Sequence, residues 1–136
     1  MRNALPFAVY LVFLGLWTWK LLEPSPVPEV VGGVIPTDLK FIVSKIAHLG
    51  AYTFLTLLLA WLPISRRQFW VGVALLTVHG AATEVLQYAM AMGRTGKVTD
   101  VMIDWAGIAL GLIALRVSGV GCRVSETTDH NKPITW

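Results

Sequence analysis

Residues 5–22, LPFAVYLVFLGLWTWKLL, contain one charged side chain, Lys20. Three further long apolar stretches follow, at about 45–62, 69–92 and 100–117. An α-helix rises 1.5 Å per residue, so about twenty residues cross a hydrocarbon core of ~30 Å. Lipid offers the backbone no hydrogen-bonding partner, so each buried segment must satisfy its own N–H and C=O groups. Helices do this segment by segment. The expected fold is therefore all-α: a polytopic membrane protein of four transmembrane helices. Composition agrees, with 14% charged residues against about 25% in soluble domains.

The chain reads as one unit, a four-helix transmembrane domain over residues 1–118 followed by a polar C-terminal tail over 119–136. The first span does not read as a cleaved signal peptide. Trp17, Trp19 and Lys20 close it where small residues would be needed, and these types anchor helices at the membrane interface. Residues 23–38, EPSPVPEVVGGVIPTD, hold four prolines and two glycines and read as an irregular loop. The next residues, LKFIVS, read as a short amphipathic piece on the membrane surface, capped by Thr37 or Asp38. PISRRQ and GRTGKVT are short links between the later spans.

The net charge of +3 is no sign of nucleic-acid binding, because Lys and Arg flank the spans and the longest basic run is Arg66-Arg67. One cysteine, Cys122, excludes an internal disulfide and any Cys-based zinc site. Four spans put both termini on one side. With the termini in the cytoplasm, Arg2, Arg66, Arg67, Arg116, Arg123 and Lys132 lie inside, and Lys20, Lys40, Lys45, Arg94 and Lys97 outside. That bias, and the acid-free Arg66-Arg67 link, favour cytoplasmic termini.

The apolar pattern is interrupted selectively. Lys45, His48 and Tyr52 share a face of the second span at spacings of three and four. Glu84, Gln87 and Tyr88 do the same on the third, and Asp100 and Asp104 open the fourth. With helices alternating in direction, Glu84 lies ~12 Å from the end of its span, and His48 and Asp104 ~5–6 Å into theirs. All fall in one half of the membrane, beside Arg94. Ionisable groups cost about 2.5–3.5 kcal/mol each in a spanning helix, so a shared polar site is expected. Taken singly, each residue has a plainer role: Lys45 snorkelling, Glu84 and Gln87 bonding helix to helix, Asp100 at a helix N-terminus. His79 and Thr83 are assigned to the core. Gly107 and Gly111 form a small-xxx-small step for close helix packing on the face that carries the aspartates.

Three fragments, KIAHLGAY, EVLQ and GRTGKVTDVMIDWAGIALG, stand in the order K-x-x-H-x-x-x-Y, E-x-x-Q and R-x5-D-x3-D-x2-G-x3-G. Over residues 45–111 this pattern resembles the VanZ-like family, small bacterial membrane proteins associated with teicoplanin resistance. The resemblance implies that Lys45, His48, Tyr52, Glu84, Gln87, Arg94, Asp100, Asp104, Gly107 and Gly111 are signature positions. Where many members carry asparagine, this chain has Asp104. It also implies a place in the bacterial cytoplasmic membrane and antibiotic-related envelope work, without a reaction.

Three functions are open to such a site. The first is binding or modifying a cell-envelope molecule, a lipid-linked cell-wall precursor or lipoglycopeptide, with Lys45 and Arg94 holding an anionic group. The second is an intramembrane hydrolase or transferase with His48, Glu84 and Asp104 as candidate catalytic residues. Ser44 is the nearest hydroxyl and not an evident nucleophile, so His48 or a divalent cation would have to activate water. The third is a structural subunit whose polar residues fix helix packing. The partner common to all is the lipid bilayer. No cofactor is expected, and the loose His/carboxylate spacing gives no ground to assign a metal.

Overall fold

The computed structural model describes residues 4–23, 36–90 and 98–119, and within them every element is a helix. The four are α1 (Ala4–Leu22), α2 (Thr37–Ala60), α3 (Arg66–Met90) and α4 (Val98–Val117). Each is long and apolar enough to cross a membrane.

α2 begins eight residues earlier than the sequence pattern suggested. Its first turn follows Pro36, whose carbonyl accepts from the Leu39 and Lys40 amides at 3.1 Å. The stretch LKFIVS is thus the start of the spanning helix and not a separate surface piece. No proline or glycine stands between Pro36 and Gly50 to break it. At its other end α2 tightens into i→i+3 bonds at Trp61 and Leu62, and Pro63, which has no N–H to give, stops it. Ser65 and Gln68 then form a capping box for α3: the Ser65 amide donates to Gln68 Oε1 at 2.8 Å and the Gln68 amide to Ser65 Oγ at 3.3 Å.

α2 and α4 make the most extensive pairing, α3 packs on both, and α1 touches α2 and α3 but not α4. α2 and α4 run parallel, with a register that can be read from the contacts. Lys45 meets Asp100, His48 meets Asp104, Thr53 Oγ1 donates to the Gly107 carbonyl at 3.0 Å, and Thr56 lies against Gly111. Close approach requires the two glycines. A Cβ on Gly107 would stand 2.6 Å from the Leu49 carbonyl oxygen, and one on Gly111 2.7 Å from Thr56 Cβ.

On α3 the inward face is Phe69, Val73, Leu76, Gly80, Thr83, Glu84 and Gln87, all buried and spaced as one helical stripe. The stripe changes character along its length. At one end Phe69, Val73 and Leu76 join Leu55, Leu59, Leu62 and Ile108 in an apolar core, and at the other the buried residues are polar. The many exposed Leu, Val, Phe and Ile side chains lie on the outer surface, where a spanning bundle meets lipid tails.

Candidate functional site

The polar end of the bundle is built by register. Glu84 is six residues before the end of α3 and Asp104 six residues after the start of α4, about 9 Å in each case. His48 lies deeper in its longer helix, eleven residues after Thr37, about 16 Å in. His48, Glu84 and Asp104 are 2%, 4% and 0% exposed, and one ligand atom from each lies within 4.8 Å of the others. His48 Nδ1 and Asp104 Oδ1 are 2.8 Å apart. An ionised Asp104 can only accept, so the imidazole donates Nδ1–H to it. One turn outward, Lys45 forms an ion pair with Asp100, both largely covered, and its ammonium sits 4.8 Å over the Phe41 ring.

Hydrogen-bond directions extend the network into α1 and α3. Thr18 donates its single hydroxyl proton to the Leu14 carbonyl at 2.7 Å, so at 2.9 Å from His79 Nε2 it must accept. The His79 proton is then on Nε2, and Nδ1 accepts from the Tyr52 hydroxyl at 3.0 Å. The Tyr52 proton is therefore committed to His79. Its hydroxyl oxygen and Asp104 Oδ2 both lie within 3.3 Å of the point where a Cβ on Gly80 would stand. Asp104 Oδ2 itself is buried with no hydrogen-bond partner among the described residues. The Trp17 ring stands edge-on to His48, centroids 5.7 Å apart, and its Nε1 is likewise a buried donor without a partner among them.

The residues singled out by the sequence thus divide. Lys45, His48, Tyr52, Glu84, Asp100 and Asp104 gather around one end of the α2–α3–α4 interface. Gln87 turns away to donate to the Leu21 carbonyl at 2.7 Å, tying α1 to α3. Tyr88 is 74% exposed and faces outward. Arg94 lies outside the described residues. Thr83 is buried and bonded to the Gly80 carbonyl. His79 differs from its core assignment: it is half-buried and holds Tyr52 and Thr18 together. Sequence reasoning also missed Trp17, Thr18 and Gly80. Only Gly80 left a signal, four residues before Glu84 on the buried stripe of α3.

An apolar cleft of about 380 Å³ lies at the opposite end of the molecule, lined by residues that include Val9, Leu58, Trp61 and Leu62. Its lining residues include no acid and no base.

The sequence matches the VanZ/LLP1 family over residues 3–119 of its 136. The chain belongs to the VanZ/LLP1 family. The match takes in all four helices, and with their length and apolarity it makes this a multi-pass membrane protein of the VanZ type. Neither a curated protein nor a solved structure matches the chain.

Proposed function

We propose that this VanZ-family protein binds the polar head of a cell-envelope molecule, a lipid-linked cell-wall precursor or lipoglycopeptide, at the His48 end of its bundle. The observation that carries the reading is two buried polar atoms lacking partners among the described residues, in side chains that both neighbour one imidazole. Trp17 Nε1 is a donor, Asp104 Oδ2 an acceptor, and each side chain is in contact with His48. Buried polar atoms are nearly always bonded, and in lipid the cost of leaving them otherwise is greater. A polar guest with both donor and acceptor groups satisfies the two together. The Lys45 ammonium, paired with Asp100 one turn outward from His48, and Arg94 of the link between α3 and α4 are the cations that would meet a phosphate or carboxylate. On this reading the termini are cytoplasmic, the site opens towards the outer face of the bacterial cytoplasmic membrane, and the biological setting is tolerance of glycopeptides such as teicoplanin.

Native mass spectrometry of gently solubilised wild type beside Glu84→Gln tests it. That change keeps the shape of the side chain and removes its charge. Wild type should carry an envelope lipid that the variant loses, and the adduct mass names the substrate class. Identical adducts on both, or none on either, would leave helix packing as the role of these residues.

A second reading is favoured by the 2.8 Å His48–Asp104 bond, the arrangement that orients an imidazole as a general base. A hydrolase or transferase of this kind would accumulate an unprocessed lipid on His48→Gln, with a mass different from the wild-type adduct. A binding protein would lose or keep the same lipid.

A further inference from the structure

The donors gathered at the centre of this site are those of a metal centre. Imidazole nitrogen and carboxylate oxygen are the ligands that Zn²⁺ and Mn²⁺ take from proteins. His48, Glu84 and Asp104 present one such atom each, from three different helices, within 4.8 Å of one another, and all three residues are buried. To ligate, His48 would give up the Nδ1–H bond to Asp104, its single proton moving to Nε2. We propose that these three side chains bind one divalent transition-metal ion, Zn²⁺ or Mn²⁺, within the membrane-spanning bundle.

Proximity of two carboxylates and a histidine would not by itself carry this. The independent observation is Asp104 Oδ2. The residue is 0% exposed, and this oxygen has no hydrogen-bond donor among the described residues. The nearest candidate, the Tyr52 hydroxyl, has its proton committed to His79 by the Leu14–Thr18–His79 chain of bonds. A carboxylate oxygen held away from water with no donor is one of the costliest arrangements in a protein interior, and a cation relieves it.

Charge balance points the same way. Two carboxylates and a neutral imidazole sum to minus two, which a divalent ion cancels, leaving a neutral centre suited to a low-dielectric bundle. The donor set also narrows the ion. Cu(I) selects thiolate or thioether ligands, and no cysteine or methionine is part of the group. Ca²⁺ and Mg²⁺ select oxygen-only shells, which His48 would spoil. Three protein ligands are those of a site with an open position, and water or an oxyanion of the bound molecule completes it. Lys45, one turn outward, would face the same oxyanion. Gly80 keeps the approach clear, since a Cβ there would stand 3.2 Å from Oδ2.

This inference rests on the same site as the envelope-lipid reading, but its test does not depend on a lipid. Wild type, Asp104→Asn and Glu84→Gln would be purified in detergent through a tag without histidines. Bound metal would be measured by elemental mass spectrometry, followed by titration of the chelator-treated protein with Co²⁺ alone. Wild type should retain about one Zn²⁺ or Mn²⁺ per chain and give the visible d–d bands of protein-bound Co²⁺ on titration. Both variants should bind Co²⁺ at least about tenfold more weakly. Wild type that holds no metal and gives no Co²⁺ bands overturns the proposal, as do variants that bind Co²⁺ like wild type. Where the variants fail to fold, the wild-type titration decides alone, a single saturating equivalent supporting the site and no saturable binding overturning it. Metal without a lipid adduct would sink the lipid reading and leave the metal site standing. A lipid adduct without metal would do the reverse.

Discussion

Asp104 carries two oxygens with different fates, and much of the site follows from that difference. Oδ1 takes the His48 proton at 2.8 Å, while Oδ2 lies beside a tyrosine whose proton is directed elsewhere. Native mass spectrometry and Co²⁺ titration both ask what Oδ2 is for. The sequence made His48, Glu84 and Asp104 visible because ionisable side chains are expensive in a spanning helix and stand out against leucine. His79 was less visible. It shares no obvious face with Glu84, five residues on, and its role depends on Thr18 of α1, which no spacing within α3 can reveal. Gln87 shows the converse: its i, i+3 relation to Glu84 put it on the right face, yet its reach to the Leu21 carbonyl depends on where α1 docks.

At the level of elements, the site depends on how closely α2 and α4 lie. Gly107 meets the Leu49 carbonyl oxygen, which is backbone and cannot rotate away, so any side chain there must push the helices apart. Gly107→Val should destabilise the protein by ~3 kcal/mol and dissolve the His48–Asp104 register. Gly15, on the outer face of α1 with nothing within 4 Å of an added Cβ, should accept alanine with a change within about 0.5 kcal/mol. Thermal unfolding of the two variants in one detergent measures both. The reverse order would mean that the glycine stripe does not set the α2–α4 distance. The apolar runs and the Gly107–Gly111 step are legible in the amino-acid order alone. The length of α2 is not, because charges at Asp38, Lys40 and Lys45 look like a membrane boundary. Helix continuity is decided by the lack of a breaker, whereas hydropathy registers only what is comfortable in lipid.

For the molecule as a whole, polarity is asymmetric from end to end. One end of the bundle is sealed by Phe69, Leu59, Leu62 and their neighbours, while the other holds the buried ionisable groups. The outer-face reading requires the polar end to lie away from the cytoplasm and the chain termini to lie within it. The single cysteine, Cys122 in the tail, makes this directly measurable. A membrane-impermeant maleimide should leave Cys122 unlabelled in intact cells and label it once the membrane is permeabilised. Labelling of intact cells would place the termini outside and turn the site towards the cytoplasm.

The central claim is that side chains from separate helices form one interacting polar site. A double-mutant cycle on His48→Gln and Asp104→Asn, read as thermal stability in one detergent, tests it most directly. A direct buried bond predicts non-additivity, with a coupling energy of about 0.5–3 kcal/mol and a double variant little worse than the poorer single one. Losses that add to within about 0.3–0.5 kcal/mol would mean that the two residues do not interact, and would contradict a shared site centred on His48 and Asp104.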